Sequence, residues 1–208
     1  MKIIAVNGSP RSGWNTDILV REATAGAASA GAEVEFVDLY KLDKFTGCVS
    51  CFGCKTEGHQ GKCIYKDGLA DVLEKMRNAD GIILGSPVYL GDISAGLRSL
   101  YERLIFQYIS YKLEPGSYNE RRIPVLFILT SNVAAEYDEE LVKRYKAALD
   151  TFIGPTKTFV SGNTLQVGNY EKYNWTLFNP EEKKERREKI FPQERKAVFE
   201  LSASVFGS

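Results

Sequence analysis

Five short strand-like segments alternate with segments of helical periodicity, and this alternation constrains the fold of the 208-residue chain more than any other feature. The predicted strands are 3–6, 33–39, 81–84, 124–129 and 157–160. The predicted helices are 17–30, 67–79, 93–109, 137–152 and a last one from about 180. Most of the strands are continuous apolar runs, which are typical of strands buried on both faces. The pattern predicts a single α/β domain over 1–208, with a doubly wound five-stranded parallel sheet covered by helices on both faces.

The loop after the first strand predicts a phosphate site. Residues 8–16 read GSPRSGWNT and supply hydroxyl, amide and backbone N–H donors, together with the fixed positive charge of Arg11. The helix that follows adds its unpaired N–H groups and the positive end of its dipole. A phosphate monoester is the expected occupant, because donors of this kind suit a terminal phosphate.

The two commoner phosphate motifs are missing from this loop. Neither the G-x-x-x-x-G-K-S/T pattern of nucleotide triphosphatases nor the G-x-G-x-x-G dinucleotide fingerprint occurs in residues 8–16. An ordinary strand-to-helix turn therefore stays an alternative, with Asn15 or Thr16 as a plain N-cap.

Two further loops at strand ends carry suitable chemistry. The segment 86–92 (SPVYLGD) offers Pro87 and Tyr89 to pack a flat ring, and 130–134 begins with Thr130 and Ser131. The ligands of open α/β sheets bind outside the carboxyl ends of the strands, so the loops 8–16, 86–92 and 130–134 are expected to meet at one crevice. A rim aromatic without a ligand is the alternative for Tyr89.

All four cysteines lie in one loop, at about 45–65. Cys48, Cys51, Cys54 and Cys63 are spaced C-x2-C-x2-C-x8-C, and four thiolates are the usual complement of a 4Fe-4S cluster. Zinc ranks lower, because it usually takes two separated C-x2-C pairs. Free or partly oxidised thiols in a flexible loop remain the other alternative.

The charge balance gives no support for a nucleic-acid or membrane partner. Lys and Arg together number 27, as do Asp and Glu, and no apolar run approaches the length of a membrane span. With no signal-peptide pattern at the N-terminus, a cytoplasmic location with reduced thiols is expected. The tail at about 170–208 is predicted to be helical, and its EEKKERREK stretch is expected to be a solvated helix face.

The motifs GSPRSGWNT and GIILGSPVYLGDISAGLRSLYER, with the cysteines between them, resemble the flavodoxin-like NAD(P)H-dependent FMN reductases, and the branch that looks closest is the iron–sulfur flavoproteins. The resemblance covers residue 1 to about 131, and the tail also looks similar to that branch. It implies a flavodoxin-like strand order of 2-1-3-4-5, a bound FMN, and a 4Fe-4S cluster held by a compact cysteine motif. The eight-residue gap before Cys63 is longer than that branch usually has.

The resemblance also assigns the site residues by position. The FMN phosphate is expected to contact Ser9, Arg11, Ser12, Asn15 and Thr16. The flavin ring is expected to be lined by Pro87, Val88, Tyr89 and Gly91, with Thr130 and Ser131 on the third side. The cluster ligands are expected to be Cys48, Cys51, Cys54 and Cys63.

The function expected from these features is that of an FMN oxidoreductase. It would take electrons from NAD(P)H, or from ferredoxin through the cluster, and pass them to flavin, quinone or another small acceptor. The alternatives are a flavodoxin-like electron carrier and a cysteine-loop redox or metal sensor without its own substrate. A homodimer or homotetramer is expected too, because helix 93–109 is more apolar than a helix facing one sheet needs; a buried core helix is the alternative.

Overall fold

The computed structural model describes residues 1–114 and 116–207. Its strands are β1 (Lys2–Asn7), β2 (Glu33–Asp38), β3 (Gly81–Tyr89), β4 (Asp92–Ile93), β5 (Val125–Thr130) and β6 (Thr156–Ser161). Its α-helices are α1 (Asn15–Ser29), α2 (Ala70–Asn78), α3 (Ala95–Tyr108), α4 (Glu139–Phe152), α5 (Pro180–Lys189) and α6 (Phe191–Phe206).

The five long strands form one parallel sheet in the order β2-β1-β3-β5-β6, and the short β4 pairs antiparallel with the end of β3. Counting the parallel strands alone, this is the predicted order 2-1-3-4-5, and the predicted flavodoxin-like α/β fold is confirmed. The order reverses direction between β1 and β3. Ligands of doubly wound sheets bind at such a switch point, outside the carboxyl ends of the strands.

The third strand is longer than its sequence indicates. Residues 85–89 were expected to be an irregular loop, but β3 runs on to Tyr89, and its ladder with β5 ends where Pro87 lies opposite Thr130. Pro87 has no N–H to donate, which explains why the ladder stops there while the backbone stays extended. The fold therefore presents residues 87–89 as a straight wall.

The alternation of side chains along the strands produces one core on each face of the sheet. Ile4, Val6, Ile82, Leu84 and Phe127 pack with apolar residues of α2, α3 and α4. The intervening strand residues face the other way and pack with α1 and α6; they are Ile3, Ala5, Ile83, Leu126 and Ile128. Each of these ten side chains is at most 2% exposed, so both faces of the central strands are buried.

Small residues on α1 let α6 approach it closely. The Ser202 hydroxyl donates to the Ala23 carbonyl at 2.6 Å. A Cβ on Gly26 would lie 2.2 Å from the Phe199 carbonyl oxygen, so only glycine fits there. The alanine-rich face of α1 therefore serves close helix packing.

The apolar residues of α3 are mostly used within one chain. Leu97, Leu100, Leu104, Ile105 and Tyr108 are all at most 8% exposed and belong to the core between α3 and the sheet. The buried-core alternative accounts for these side chains, and the homodimer or homotetramer stays a prediction.

In the part of the chain that the structure describes, no helix combines the length and the apolar character needed to cross a membrane.

We predict that Gly26→Ala destabilises the protein although alanine is the better helix former by about 1 kcal/mol. The added methyl group overlaps the Phe199 carbonyl, and overpacking of this kind costs ~1–3 kcal/mol. Urea unfolding measures the difference. Gly168→Ala, at an exposed glycine with nothing within 4 Å of its Cβ position, is the control and should be near neutral. Equal effects of the two substitutions would contradict this packing.

Candidate functional site

A cleft of about 450 Å³ opens at the carboxyl ends of β1, β3, β5 and β6. Nine of the eleven residues expected at a flavin site line it, and they come from all three predicted loops: Ser9, Arg11, Asn15, Thr16, Pro87, Val88, Tyr89, Thr130 and Ser131. The other two lie beside it, Ser12 in the exposed turn before α1 and Gly91 in the turn after β3. The volume is within the usual range for a small-molecule site, roughly 300–1,000 Å³.

Buried side chains fix the shape of the loop between β1 and α1. Asn7 accepts from the backbone N–H of Ser9 at 3.0 Å, and Asp17 accepts from that of Gly13 at 2.8 Å. The residue that caps α1 is Trp14, whose side chain makes no cap hydrogen bond, so neither Asn15 nor Thr16 is the plain N-cap. The backbone N–H groups of the first helical turn have no acceptor within the helix and remain for a ligand.

The start of α3 fastens this loop to the sheet. The Ser94 hydroxyl caps α3 by accepting from the Leu97 N–H, and it donates to the Gly8 carbonyl at 2.5 Å. The backbone N–H of Ser94 in turn donates to the Ser86 hydroxyl at 2.9 Å. A Cβ on Gly8 would lie 2.8 Å from both the Gly85 carbonyl oxygen and Leu97 Cβ. Glycine is therefore required where loop, strand and helix meet.

A tight hairpin forms the second wall of the cleft. Leu90 and Gly91 connect β3 to β4 with φ values of +52° and +74°, as a two-residue turn of the primed type demands. Leu90 is fully exposed at the cleft although side chains disfavour this conformation. Burial raises the pKa of Tyr89, against the opposing effect of Arg11, so its phenol is protonated at neutral pH and can donate a hydrogen bond.

The hairpin is anchored from behind by a polar network. Asp92 accepts from the Tyr145 hydroxyl at 2.5 Å, and Arg98 donates to the same hydroxyl at 2.6 Å. Burial alone would raise the pKa of Asp92, but the hydrogen bond from Tyr145 and the nearby Arg144 and Arg98 outweigh it and lower that pKa. The charged carboxylate therefore ties the hairpin to α3 and α4 at neutral pH.

Hydroxyl groups join the third wall of the cleft, which is the segment at the end of β5, to the first wall, which is the loop between β1 and α1 with the first turn of α1. Thr16 and Thr130 lie in hydrogen-bond contact, with 2.7 Å between their hydroxyl oxygens. Ser131 donates to Asp138 at 2.5 Å, and Thr164 donates to the Ser131 carbonyl at 2.7 Å. The first contact sets the spacing between α1 and the end of β5, and the other two fix the segment that follows β5.

A fourth wall was missed by sequence reasoning. It follows β6 and consists of Thr164, Leu165, Gln166 and Val167, with Trp175 from the tail at the mouth. Arg11 donates to the Gln166 carbonyl at 2.7 Å, and Asn15 donates to the Leu165 carbonyl at 2.9 Å. The sequence did carry a signal for this wall. Residues 161–168 follow a parallel strand, and the carboxyl ends of all parallel strands in the sheet lie at the crevice.

The tail also reaches the cleft through α5, whose EEKKERREK stretch was expected to be a solvated face. That expectation is wrong for two of its cations. Lys183 is 4% exposed and donates to the Asn132 carbonyl at 2.7 Å and to the Asn163 side chain. Arg187 donates to the Asn15 side-chain oxygen at 2.7 Å. Burial lowers the pKa of both cations. Being four residues apart, they share one face of α5 that points at the cleft loops.

The four cysteines line a second, smaller cavity. It is bordered on the protein side by Arg103, Phe106 and Gln107 of α3. The cysteines are free thiols; Cys54 is buried, Cys51 is exposed and the other two are half-buried. Burial raises the pKa of Cys54. Among residues 1–114 and 116–207, no three His, Cys, Asp or Glu side chains are arranged to bind a single metal ion.

Two buried donors without a partner belong to residues of this cysteine cavity. In the described residues, four buried side-chain polar atoms lack a hydrogen-bond partner, and two of them, Arg103 Nε and Gln107 Nε2, belong to residues that line the cavity. The rest of the Arg103 guanidinium is held by Asp67, at 2.6 and 2.7 Å, and by the Tyr65 carbonyl at 2.8 Å. Burial would raise the pKa of Asp67, but Arg103 and backbone N–H groups outweigh it and lower that pKa.

The two cavities share no lining residue, and only the second is lined by residues of α3. Ser94, at the start of α3, holds the loop of the first cavity, whereas Arg103 is the first α3 residue at the second. Nine residues of helical rise place Arg103 about 14 Å along the helix from Ser94.

Comparisons with known proteins indicate the family of the chain. A family model described as NADPH-dependent FMN reductase matches residues 1–166. The chain is 48% identical over 103 residues to an iron–sulfur flavoprotein of Methanocaldococcus jannaschii, covering 50% of this chain and 51% of that protein. It is 32% identical over 142 residues to an iron–sulfur flavoprotein of Archaeoglobus fulgidus, covering 66% and 64%. The matched regions thus span about half to two thirds of these relatives.

Among solved structures, the fold is similar to that of an azoreductase from Bacillus anthracis. The TM-score is 0.68 at 16% sequence identity, and the match covers 98% of this chain and 99% of the azoreductase. At this identity the likeness supports the fold alone.

We predict that Leu90→Asn stabilises the protein by about 1 kcal/mol, because asparagine tolerates the left-handed conformation better than leucine does. Urea unfolding of the protein without added cofactor is the measurement. Leu113→Asn is the matched control, since Leu113 is 99% exposed and is not among the residues with positive φ. A gain of the same size at Leu113 would show that the turn is not strained.

Proposed function

Because the chain belongs to the NADPH-dependent FMN reductase family, we propose that it is an FMN-dependent oxidoreductase. It takes electrons from NAD(P)H, or from ferredoxin through a 4Fe-4S cluster, and passes them to flavin, quinone or another small acceptor. In the first case NAD(P)H and one proton reduce the acceptor by two electrons, leaving NAD(P)+. The observation that carries the proposal is the convergence of residues from the ends of β1, β3 and β5 on one cleft.

The cleft has the chemistry that FMN needs. One end combines the first turn of α1 with Arg11, whose guanidinium carbon lies 3.7 Å from the centre of the Trp14 ring. The hydroxyls of Ser9 and Thr16 line the same end. A phosphate monoester would accept from these groups, and the helix dipole adds to the attraction. The flavin supplies two-electron chemistry that no side chain here provides.

The protein's own residues bind and orient. Pro87, Val88 and Tyr89 present an extended wall for one face of a flat ring, and the network behind Asp92 keeps that wall in place. Thr130 and Ser131 close the third side. Trp175 stacks on Tyr173, with ring centroids 4.4 Å apart, and stands 43% exposed at the mouth, where an aromatic acceptor would enter.

The cysteine cavity fits a cluster by its donor set. A 4Fe-4S cluster takes one thiolate per iron, so its ligands surround a body and need not converge on one ion. Ser50 and Phe52 are left-handed, with φ near +54°, on either side of Cys51, and alternation of this kind builds the N–H concavities found at iron–sulfur sites. The free volume is about 20 Å³, so the exposed side, with Val49, Cys51 and Phe52, must move outward to admit a cluster.

The names of the relatives from Methanocaldococcus and Archaeoglobus support the same assignment, since both are iron–sulfur flavoproteins. The ligands here would be Cys48, Cys51, Cys54 and Cys63. The cluster would supply one-electron transfer, which matches the flavin to a one-electron donor such as ferredoxin.

Anaerobic reconstitution tests the proposed function. We expect protein purified under argon and incubated with FMN to show flavin absorbance and to contain about four iron and four sulfide per chain. NADPH or NADH should bleach the flavin absorbance within seconds. A flavodoxin-like carrier would bind FMN but react slowly with both pyridine nucleotides. Protein that retains no flavin after gel filtration would refute the proposal.

A second experiment tests the phosphate end. Arg11→Met should weaken FMN binding about 10- to 100-fold, because a hydrogen bond to a charged group contributes ~1.5–3 kcal/mol. Riboflavin, which lacks the phosphate, should bind the variant and the parent protein equally. Flavin fluorescence quenching measures both affinities.

Arg122→Met is the control for this experiment. Arg122 is exposed and lies just before β5, at the end of that strand opposite the cleft. It donates to the Thr151 carbonyl in α4 and lines no part of the cleft. It should leave FMN affinity unchanged. Equal losses for FMN and riboflavin in Arg11→Met would place the phosphate elsewhere.

A further inference from the structure

Two buried N–H groups at the cysteine cavity have no acceptor within the described protein, Arg103 Nε and Gln107 Nε2. Leaving a buried donor unsatisfied costs about 1–3 kcal/mol, so two at one cavity call for an acceptor there. On the premise of the cluster in the proposed function, we propose that Arg103 and Gln107 donate hydrogen bonds to the cluster's sulfur atoms and thereby raise its reduction potential.

The orientation of the Gln107 amide is determined by its neighbour. The backbone N–H of Cys63 donates to Gln107 Oε1 at 3.0 Å. Because a donor requires an acceptor, the oxygen must face Cys63, and the NH₂ group is left on the other side of the amide. Gln107 is 1% exposed, so solvent does not satisfy that group.

The orientation of Arg103 is equally fixed. Both oxygens of Asp67 bind one terminal nitrogen, and the Tyr65 carbonyl binds the other. The side chain is 1% exposed, and Asp67 balances its charge. What remains are the Nε–H and one N–H of the terminal nitrogen that binds Tyr65, and the guanidinium interacts with the sulfur of Cys63, one of the proposed ligands. Arg103 therefore acts on the cavity as a directed donor more than as a free charge.

A trapped water is the competing acceptor. A buried water usually makes about three hydrogen bonds to polar groups. Apart from the cysteines and the two donors, the side chains around this cavity are mostly apolar; they include Val49, Phe52, Ile64 and Phe106. Thiolate and sulfide sulfur would take up both donors with no further polar partner, which favours the cluster over a water.

The sign of the effect follows from charge. Reduction adds one negative charge to the cluster, and an N–H group directed at sulfur stabilises the more negative state more. Partners outside the ligand shell commonly tune metal sites in this way. Removing such a donor should lower the reduction potential while all four thiolates remain.

Gln107 provides the test, because its substitution leaves the Arg103–Asp67 pair intact. Gln107→Glu keeps the oxygen that accepts from Cys63 and replaces the donor by a second oxygen. Gln107→Met removes the donor without adding charge. Gln193→Met, at an exposed glutamine on α6, is the matched control. The readouts are iron and sulfide content and the potential of the cluster, titrated anaerobically by electron paramagnetic resonance.

We expect unchanged iron and sulfide in every variant. In Gln107→Met the reduced-to-oxidised ratio at a fixed potential should fall about tenfold, which is ~59 mV for one electron. In Gln107→Glu this ratio should fall further, and in Gln193→Met it should equal that of the parent protein. If Gln107→Met loses iron, the shift in reduction potential of Gln107→Glu is the result that tests the inference.

Two other results would overturn the inference, and they are distinguishable. A parent protein with four iron per chain and variants of unchanged potential would refute the role of Gln107 and leave the proposed function standing. A parent protein that binds FMN and reacts with NAD(P)H but incorporates no iron or sulfide would remove the cluster from the proposed function and the inference with it.

Discussion

The contact between Gly8 and the start of α3 fixes the geometry of both cavities. Ser94 holds the Gly8 carbonyl, Ser86 holds Ser94, and the space where a Gly8 side chain would go is filled by Leu97 and the Gly85 carbonyl. The loop after β1 therefore has one possible height above the sheet. The same contact sets where α3 begins, and its last turns then place Arg103 and Gln107 against the cysteine loop. An error at this contact would displace the cleft and the cysteine cavity together.

Much of the fold and of the cleft could be predicted from the sequence because the relevant information is local. Apolar runs such as 3–6 and 124–129 mark buried strands, and the carboxyl ends of parallel strands necessarily share one edge. Once those ends were located, Arg11, Tyr89 and Thr130 could be placed in one crevice without knowing any side-chain contact. The geometry agrees, with nine of the eleven residues lining one cleft.

The rest depends on tertiary contacts that local patterns do not carry. Pro87 suggested a loop, whereas pairing with β5 keeps β3 extended through it. The charged stretch of α5 looked solvated, and only packing shows that Lys183 and Arg187 are turned inward. Residues 164–167 have no motif of their own and line the cleft because β6 ends there. Gln107 likewise looks like an ordinary helix residue until the burial of its amide is known.

The hydrogen bond between Arg187 and Asn15 joins residues 172 positions apart, and α6 covers the face of α1 that the sheet leaves open. During synthesis, the first strand, loop and helix emerge long before these partners do. Until α5 and α6 have left the ribosome, Asn15 lacks a group that orients it and the alanine-rich side of α1 faces water. On the proposed function, FMN binding at the cleft would therefore be a late step that follows the folding of α5 and α6.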